Sequence, residues 1–433
     1  MRILHTSDWH LGVTFCDRSR ADAQRHFLDW LLATVEARAI DAVVIAGDVF
    51  DTANPTAEAL ALYYGFLADL ARLDARTSTG GRRTAIIVGG NHDSATRLDA
   101  PREALRALDV HVVGGHDPSR LGRDDADPCG VLVPLRDARG EVRLVVAAVP
   151  YLNDWRIGVR GFDVDAAQQL TSMHEAFGRV YAELAAKSEA LFPGVARMAT
   201  GHLTCLAERG ARTTEADAVP LEINRVGTLG SMAPSIFGES YRYVALGHIH
   251  RGFPVDSAGR IRYSGTPVQV SATENADDRK VLVVSFDGDA THVEALFVPV
   301  RRRLVRLSGS ADAILDALAE LRVPEGELPP YVTVDLELPA PEPLAEERLL
   351  ARVTTTLRGK VEIVKVRGLL LRSGDSPTAE ARRALLVELT PEAVLRHAWK
   401  SKFGANAVPP DAVLERFRLL VSEGPLAERE VTS

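Results

Sequence analysis

Five short segments of this chain carry side chains that typically bind divalent metal ions. Each segment follows an apolar stretch, and in four of them a glycine stands directly before the first polar residue. The segments are Asp8-Trp9-His10, Gly47-Asp48, Gly90-Asn91-His92-Asp93, Gly201-His202 and Gly247-His248-Ile249-His250. Carboxylates, imidazoles and one amide oxygen suit Mn²⁺, Fe²⁺ or Zn²⁺ better than Ca²⁺. These residues therefore predict a divalent-metal site assembled from distant parts of the sequence.

The chemistry of a two-metal site needs an anionic oxygen ligand that contacts both ions. Two divalent ions about 3.5–4 Å apart bind a phosphate oxygen and lower the pKa of a bound water toward neutrality. Asp48 is the natural bridge, because an imidazole coordinates one metal through one nitrogen. Asp8, His10 and one distal histidine would complete one site. Asn91, His202 and the other distal histidine would complete the second.

His92 stands beside Asn91 but need not bind metal, because adjacent residues at a strand end point in different directions. We expect it to face the scissile phosphate and to protonate or stabilise the leaving oxygen. Asp93 would then hold the other ring nitrogen of His92 and set its tautomer.

The apolar stretches before these segments have the pattern of buried strands, at residues 2–5, 43–46, 85–88, 195–199 and 241–246. Residues 22–38 and 56–73 lie between the first three and show helical periodicity. This alternation predicts strand–helix–strand units around a largely buried sheet, which is an α/β fold. Ligands that leave successive strand ends can converge at one edge of such a sheet.

Length, charge and cysteine content limit the other possibilities. The 433 residues are enough for two or three domains. The net charge of −8 argues against a DNA-coating protein, so any contact with DNA must rest on local patches, on the metals or on a partner. The three cysteines, Cys16, Cys129 and Cys205, form no close pair, which indicates a reducing compartment. With no signal peptide and no long apolar run, the sequence predicts a cytoplasmic protein.

The pattern of elements changes near residue 300. We predict a metal-binding domain over 1–300 and a small α+β domain over 301–373. Two short amphipathic helices follow within 378–425, and their apolar stripes suit either docking on a partner or packing back onto the α+β domain. The basic cluster Arg301-Arg302-Arg303, with Arg306, can contact phosphates, but such a run is usually a solvated face.

The five segments resemble the motifs of the calcineurin-like metallophosphoesterase superfamily, which run D-x-H, G-D, G-N-H-D, H and G-H-x-H. Longer matches resemble one branch, the SbcCD-type nucleases of DNA repair. They are Met1-Arg-Ile-Leu-His-Thr-Ser-Asp-Trp-His-Leu-Gly12, Ala46-Gly-Asp-Val-Phe-Asp51, Gly90-Asn-His-Asp-Ser94, Gly201-His-Leu-Thr204, Tyr243-Val-Ala-Leu-Gly-His-Ile-His250 and Tyr263-Ser-Gly-Thr-Pro267. The likeness extends over the whole chain and is sharpest in residues 1–270. It implies a β-sandwich flanked by helices, a small α+β capping domain and a C-terminal helical pair.

The resemblance also implies which residues bind each metal. A first Mn²⁺ would be bound by Asp8, His10, Asp48 and His250. A second would be bound by Asp48, Asn91, His202 and His248. His92 would act in the transition state. This chain departs from the archaeal and eukaryotic enzymes at Asp51, where they carry a histidine, so we expect Asp51 to orient a neighbour or a water instead.

The resemblance implies partners as well. The helix over 56–73 is apolar nearly all round, which favours equally its burial under the helix over 22–38 or contact with a second copy. The resemblance favours a homodimer through these two helices and an SbcC-type, SMC-like ATPase docked on the C-terminal helices. It implies a Mn²⁺-dependent exonuclease on double-stranded DNA and endonuclease on single strands and hairpins. A small-molecule or phosphoprotein phosphatase and an inactive scaffold are the alternatives.

Overall fold

The computed structural model of the protein describes residues 1–73, 76–115, 130–152, 166–206, 231–340, 342, 344–356, 359–370 and a few positions between 395 and 416. The strands of this part are β1 (Arg2–Thr6), β2 (Thr14–Phe15), β3 (Arg18–Ser19), β4 (Ala42–Ala46), β5 (Thr84–Val88), β6 (Val110–Val113), β7 (Leu132–Arg136), β8 (Val142–Ala147), β9 (Ala196–His202), β10 (Tyr243–Gly247), β11 (Ile261–Tyr263), β12 (Lys280–Asp287), β13 (Ala290–Phe297), β14 (Arg302–Gly309), β15 (Leu328–Leu338) and β16 (Glu362–Leu370). Its α-helices are α1 (Ala21–Ala37), α2 (Ala57–Arg72), α3 (Ala95–Asp99), α4 (Arg102–Arg106), α5 (Ala166–Leu191), α6 (Ala311–Glu320) and α7 (Ala345–Thr356), and short 3₁₀ helices include Pro234–Phe237 and Ala276–Asp278.

Two sheets position the predicted metal ligands. The first has the order β13-β12-β1-β4-β5-β6, and its strands β1, β4, β5 and β6 are parallel. The second has the order β11-β10-β9-β8-β7, and its strands β8 to β11 are parallel. Every residue of β4 is buried, as expected for a central parallel strand covered on both faces.

The two sheets pack face to face, and helices cover their outer faces. Alternate residues of each strand point to opposite faces. Ile3 and Val44 of the first sheet therefore pack with Val146 and Tyr243 of the second. Their sequence neighbours, such as Leu4, pack under α1 and α2, and α5 covers the outer face of the second sheet. The expected α/β sandwich flanked by helices is confirmed.

Helix α2 packs against α1 of the same chain. Thr56 caps it by accepting a hydrogen bond from Ala59 N. The side chains buried on this helix are Ala59, Leu62, Tyr63, Phe66, Leu67 and Leu70. Among its large hydrophobic residues, Tyr64 is exposed, with 40% of its surface accessible. Burial within one chain therefore accounts for most of the apolar surface of α2, and the homodimer stays a prediction.

The C-terminal part contains the expected mixture of strands and helices. Strands β14, β15 and β16 form a three-stranded sheet, and α6 contacts β14. One compact unit comprises Met1–Glu337 and Pro343–Leu369, and a second comprises Leu338–Glu342 and Leu370–Ser433. The predicted domain limits at 300 and 373 stay predictions. Most of the predicted C-terminal helical pair lies outside the described residues.

Carboxylates pair with most of the basic cluster at residues 301–306. Arg302 contacts Asp22, Arg303 contacts Asp277 and Glu327, and Arg306 contacts Asp335. These pairs support a structural role for the cluster over a contact with DNA. Cys16 and Cys205 are free thiols, and Cys129 lies outside the described residues. None of the described helices combines the length and apolar character that a membrane span requires.

Candidate metal centre

The predicted ligands lie at the C-terminal ends of five parallel strands. Asp8 follows β1, Asp48 follows β4 and Asn91 follows β5, whereas His202 ends β9 and His248 follows β10. The first three strands belong to one sheet and the last two to the other. Strand β4 contacts both β9 and β10 across the sandwich, so the ligand-bearing ends of the two sheets meet.

The backbone at these strand ends adopts conformations that L-residues rarely take. The φ angles are +52° at Asp8, +44° at His10, +47° at Asp48 and +97° at His248. Such conformations cost about 1–3 kcal/mol each and persist where surrounding contacts impose them, often at functional sites. Here His10 N donates to the carbonyl of Asp48 at 3.0 Å, and His248 N donates to Asp8 Oδ1 at 2.8 Å.

Two of the glycines that precede ligands leave no room for a side chain, because another part of the chain lies close to their Cα atoms. A Cβ atom on Gly47 would lie 2.1 Å from His202 Nδ1, and one on Gly90 would lie 2.1 Å from Asp48 Oδ1. Gly47 also has a φ of +91°. These two glycines therefore allow the ligand-bearing turns to approach one another.

One group of ligand atoms lies around His10 and His250. Their Nε2 atoms face each other at 3.1 Å. Asp8, His10 and His250 each offer a ligand atom within 4.8 Å of the others. Asp48 Oδ2 lies 3.8 Å from His10 Nε2. This group matches the set that the resemblance implies for the first ion.

A second group lies around His202 and shares Asp48 with the first. His202 Nε2 is 3.2 Å from Asp48 Oδ2 and 3.0 Å from Asn91 Oδ1. His248 Nδ1 is 2.9 Å from the same Asn91 oxygen. His202 Nδ1–H donates to the carbonyl of Ala46 at 2.9 Å, which directs Nε2 toward the centre.

Burial and the crowding of charges shift the pKa values in this centre. Burial acts to lower the pKa of His202, but the adjacent Asp48 carboxylate outweighs it and raises that pKa to about 9. Burial likewise acts to raise the pKa of Asp48, but His202 and His10 hold it well below its usual range. Burial and the neighbouring His202 lower the pKa of His248 to about 4. At neutral pH the metal-free centre thus pairs an ionised Asp48 with a protonated His202, whereas His248 is neutral. Metal binding at His202 would release its Nε2 proton.

His92 lies beside this centre, but its ring is held differently from the sequence prediction. Its Nδ1–H donates to the backbone carbonyl of Asp51 at 2.7 Å. The prediction that Asp93 holds this ring of His92 is therefore wrong. Asp93 accepts instead from the backbone N–H groups of Gly90, Val49 and Phe50. These contacts tie two ligand-bearing turns together, and burial with the nearby Asp48 charge raises the pKa of Asp93 to about 6.

Asp51 lies close to a predicted metal ligand. Its Oδ1 is 3.3 Å from His10 Nδ1, the ring nitrogen that faces away from His250, but the two atoms do not form a hydrogen bond. A carboxylate this close interacts with the imidazole through its charge. That Asp51 orients a neighbour or a water stays a prediction.

Residues and geometry together fit a pair of divalent ions. The two groups supply two carboxylates, four imidazoles and one amide oxygen, and Asp48 belongs to both. Carboxylates and imidazoles in this proportion match the ligand preferences of Mn²⁺, Fe²⁺ and Zn²⁺. The assignment of each residue as a metal ligand stays a prediction that this geometry supports.

Comparison with known proteins identifies the family. The model of the calcineurin-like phosphoesterases matches residues 1–148, and that of the type 5 capsule protein repressor C-terminal domain matches residues 300–403. The SbcD subunit of the SbcCD nuclease from Rhodobacter capsulatus is 34% identical over 409 residues, covering 92% of this chain and 94% of that protein. The chain belongs to the SbcD family. The relative from Escherichia coli K12 is 33% identical over 398 residues, covering 91% of each chain.

In this member of the SbcD family, sequence reasoning missed one carboxylate near the centre. Glu274 Oε1 accepts a hydrogen bond from His250 Nδ1–H at 3.0 Å. Burial acts to lower the pKa of His250, but this bond and nearby carboxylates outweigh it and raise the pKa. Glu274 lies in a loop without a metal-ligand spacing, so no local pattern could have identified it.

Proposed function

We propose that the protein is the nuclease subunit of a two-component DNA repair enzyme and that it hydrolyses phosphodiester bonds with two Mn²⁺ ions. It would act as an exonuclease on double-stranded DNA and as an endonuclease on single strands and hairpins. The observation that carries the proposal is the pair of ligand groups sharing Asp48, with His92 directly beside them, in a member of this family.

The side chains of this site bind, orient and transfer protons. When bound, the two ions supply charge stabilisation at the phosphate and activation of water. Asp48 Oδ1 accepts from His92 N at 2.9 Å, which fixes the His92 backbone relative to the shared carboxylate. Because Nδ1 of His92 donates to the Asp51 carbonyl, Nε2 is the nitrogen available to the substrate. A proton on that nitrogen would pass to the leaving oxygen.

We also propose the partners that the family membership suggests. An SbcC-type ATPase would bind the region 378–425 and control access of DNA to the site. A second copy would contact α1 and α2, and the complex would work in the cytoplasm. The net charge of −8 supports a division of labour in which metals and the ATPase, more than this chain's own surface, attract DNA.

A nuclease assay with two substrates tests the proposal. Purified protein with its ATPase partner and Mn²⁺ would be incubated with linear DNA and, in parallel, with a chromogenic bis-phosphate ester. We expect DNA cleavage that is lost in Asp48→Asn and reduced about 10²–10⁴-fold in His92→Gln. His292→Gln, an exposed histidine on β13, serves as the matched control and retains activity.

The same assay separates the two alternatives. Turnover of the ester with untouched DNA would indicate a phosphatase, and metal binding without activity on either substrate would indicate a scaffold. Replacing Mn²⁺ by Mg²⁺ or Zn²⁺ tests the choice of metal. Co-purification of the ATPase with the full chain, and its loss on deletion of residues 378–433, tests the docking region.

A further inference from the structure

The loop between β11 and β12 contains a buried glutamine that binds the three-stranded sheet. Gln269 has 4% of its surface accessible. Its Oε1 accepts a hydrogen bond from Leu304 N at 2.9 Å, and its Nε2 donates to the carbonyl of Leu304 at 3.3 Å. Leu304 belongs to β14, which lies at the edge of that sheet. One side-chain amide therefore satisfies both the N–H and the C=O of Leu304, as the backbone of a neighbouring strand would.

The same amide also contacts the residue that supports His250. Gln269 Nε2 donates to the backbone carbonyl of Glu274 at 2.6 Å, and the Glu274 carboxylate accepts from Val270 N at 3.1 Å. These two bonds close the segment 269–274 on itself. The Glu274 carboxylate also accepts from His250 Nδ1–H at 3.0 Å. A continuous series of hydrogen bonds thus runs from the backbone of β14 to a predicted metal ligand.

An ion pair joins β14 to the end of the same loop. Arg303 Nη1 lies 2.7 Å from Asp277 Oδ2, in the 3₁₀ helix over Ala276–Asp278. The side chain of Asp277 is 66% accessible, and exposed ion pairs contribute little because water and salt screen them. The Gln269 amide is buried, so a hydrogen bond broken there is not replaced by water. The buried amide, more than the ion pair, therefore holds the loop to β14.

We propose that Gln269 is a positioning residue that couples β14 to the His250 side of the metal centre through Glu274. Its amide holds the Glu274 segment against the sheet, and Glu274 in turn sets the orientation and basicity of the His250 ring. A shift of β14 therefore acts on the ion that contacts His250 more than on the ion at His202. The inference rests on the proposed metal-binding role of His250. These residues and β14 all belong to the first compact unit.

Calorimetric titration of chelator-treated protein with Mn²⁺ tests this coupling in Gln269→Leu. The substitution keeps the approximate size of the side chain and removes its hydrogen bonds. We expect the affinity of one site to fall about three- to tenfold, because Gln269 lies one hydrogen bond further from the ion than Glu274 does. The weakened site should be the one that His250→Ala abolishes. The affinity of the other site should stay unchanged, which a general loss of stability would not produce.

Asp335→Asn is the matched control within the same sheet. Asp335 lies in β15, has 7% of its surface accessible and accepts hydrogen bonds from Arg306 of β14 and Arg367 of β16. Its replacement should lower the melting temperature and leave both Mn²⁺ affinities unchanged. An equal loss of Mn²⁺ affinity in this control would overturn the specific role of Gln269.

A second substitution covers the case in which Gln269→Leu does not fold. In Gln269→Glu, the carboxylate can still accept from Leu304 N but has no N–H for the carbonyl of Glu274. The same site should lose affinity in this variant. Unchanged affinity at that site would overturn the proposal.

A double variant shows whether the coupling passes through Glu274. Two residues that act along one route have effects that are not additive. Gln269→Leu combined with Glu274→Gln should therefore bind Mn²⁺ no more weakly than Glu274→Gln alone. If the two losses of affinity multiply in full, Gln269 acts by another route and the proposal is wrong.

Coupling is reciprocal, so the metal must also act on β14. We expect saturating Mn²⁺ to slow hydrogen exchange of the Leu304 amide, which donates to Gln269, by about the same factor in the wild type and not in Glu274→Gln. Two-site Mn²⁺ binding that is unchanged by Gln269→Leu would overturn the coupling alone. A wild type that binds no Mn²⁺ would overturn the proposed function as well.

Discussion

Replacing Glu274 by glutamine is the sharpest test of how the metal centre is supported. The carboxylate of Glu274 has 7% of its surface accessible. It accepts from His250 Nδ1 at 3.0 Å, from Val270 N at 3.1 Å and from Arg279 Nη1 at 3.5 Å. All three partners are donors. The NH₂ group of a glutamine would therefore face a donor whichever way the amide is turned.

The expected magnitude follows from these contacts. Loss of a carboxylate that orients a metal-binding histidine typically lowers metal affinity by about 10–100-fold, or about 1.4–2.7 kcal/mol. The unsatisfied amide adds a separate cost of about 1–3 kcal/mol to the stability of the fold. We expect the weakening to affect the ion that contacts His250 and to leave the ion at His202 nearly unchanged.

Calorimetric titration of chelator-treated protein with Mn²⁺ measures both sites. The matched control is Glu327→Gln, because Glu327 is similarly buried and accepts two hydrogen bonds from Arg303 at 2.8 Å. The control should lose stability but retain both affinities. The reasoning is refuted if Glu274→Gln binds two Mn²⁺ ions within twofold of the wild type while its melting temperature falls as much as that of the control.

Three further predictions concern the same centre. Asp51→Ala should weaken Mn²⁺ binding by up to about tenfold, because it removes the carboxylate beside His10. The backbone carbonyl of residue 51, which accepts from His92, is kept. Calorimetric titration measures the affinity, and an unchanged value would contradict the role of Asp51. Gly90→Ala should lower stability by about 1–3 kcal/mol in denaturant titration, because its Cβ would lie 2.1 Å from Asp48 Oδ1; a neutral effect would contradict the close approach. The stabilisation of metal-free protein by the His202–Asp48 pair is complete below pH 6.5, the ordinary pKa of histidine, and is lost as pH rises through about 9, because folding raises this pKa. Melting curves of metal-free protein from pH 6 to 10 should show that loss, and a flat profile would refute it.

Helix α2 shows why an apolar pattern alone does not determine which surface packs against a helix. The pattern predicts a helix with two apolar stripes, and the structure confirms the helix with Thr56 as its cap. Periodicity reports which faces avoid water but not which surface covers them. Helix α1 covers much of α2, and the sequence carried no information on whether that cover comes from the same chain or from another.

Asp93 shows, within the metal centre, that the sequence does not determine which groups a side chain contacts. Its neighbour in sequence is His92, which made the pair a natural expectation. In the structure, Asp93 reaches back to the turn after β4 and accepts from Val49 N and Phe50 N. A turn with unpaired N–H groups attracts a carboxylate strongly, and the position of that turn depends on the pairing of β4 with β5.

The sequence by itself determined the identity of the predicted ligands and their place at strand ends, because strand periodicity and the glycine that precedes four of the five segments can be recognised in consecutive residues. It also indicated Asp48 as the shared carboxylate, since only an anionic oxygen can bridge two ions. The tertiary structure alone decided which groups support them: Glu274 accepts a hydrogen bond from His250, and Asp93 accepts from the backbone N–H groups of Gly90, Val49 and Phe50. These contacts join segments far apart in the chain, so they exist only after the two sheets have packed and brought their strand ends together.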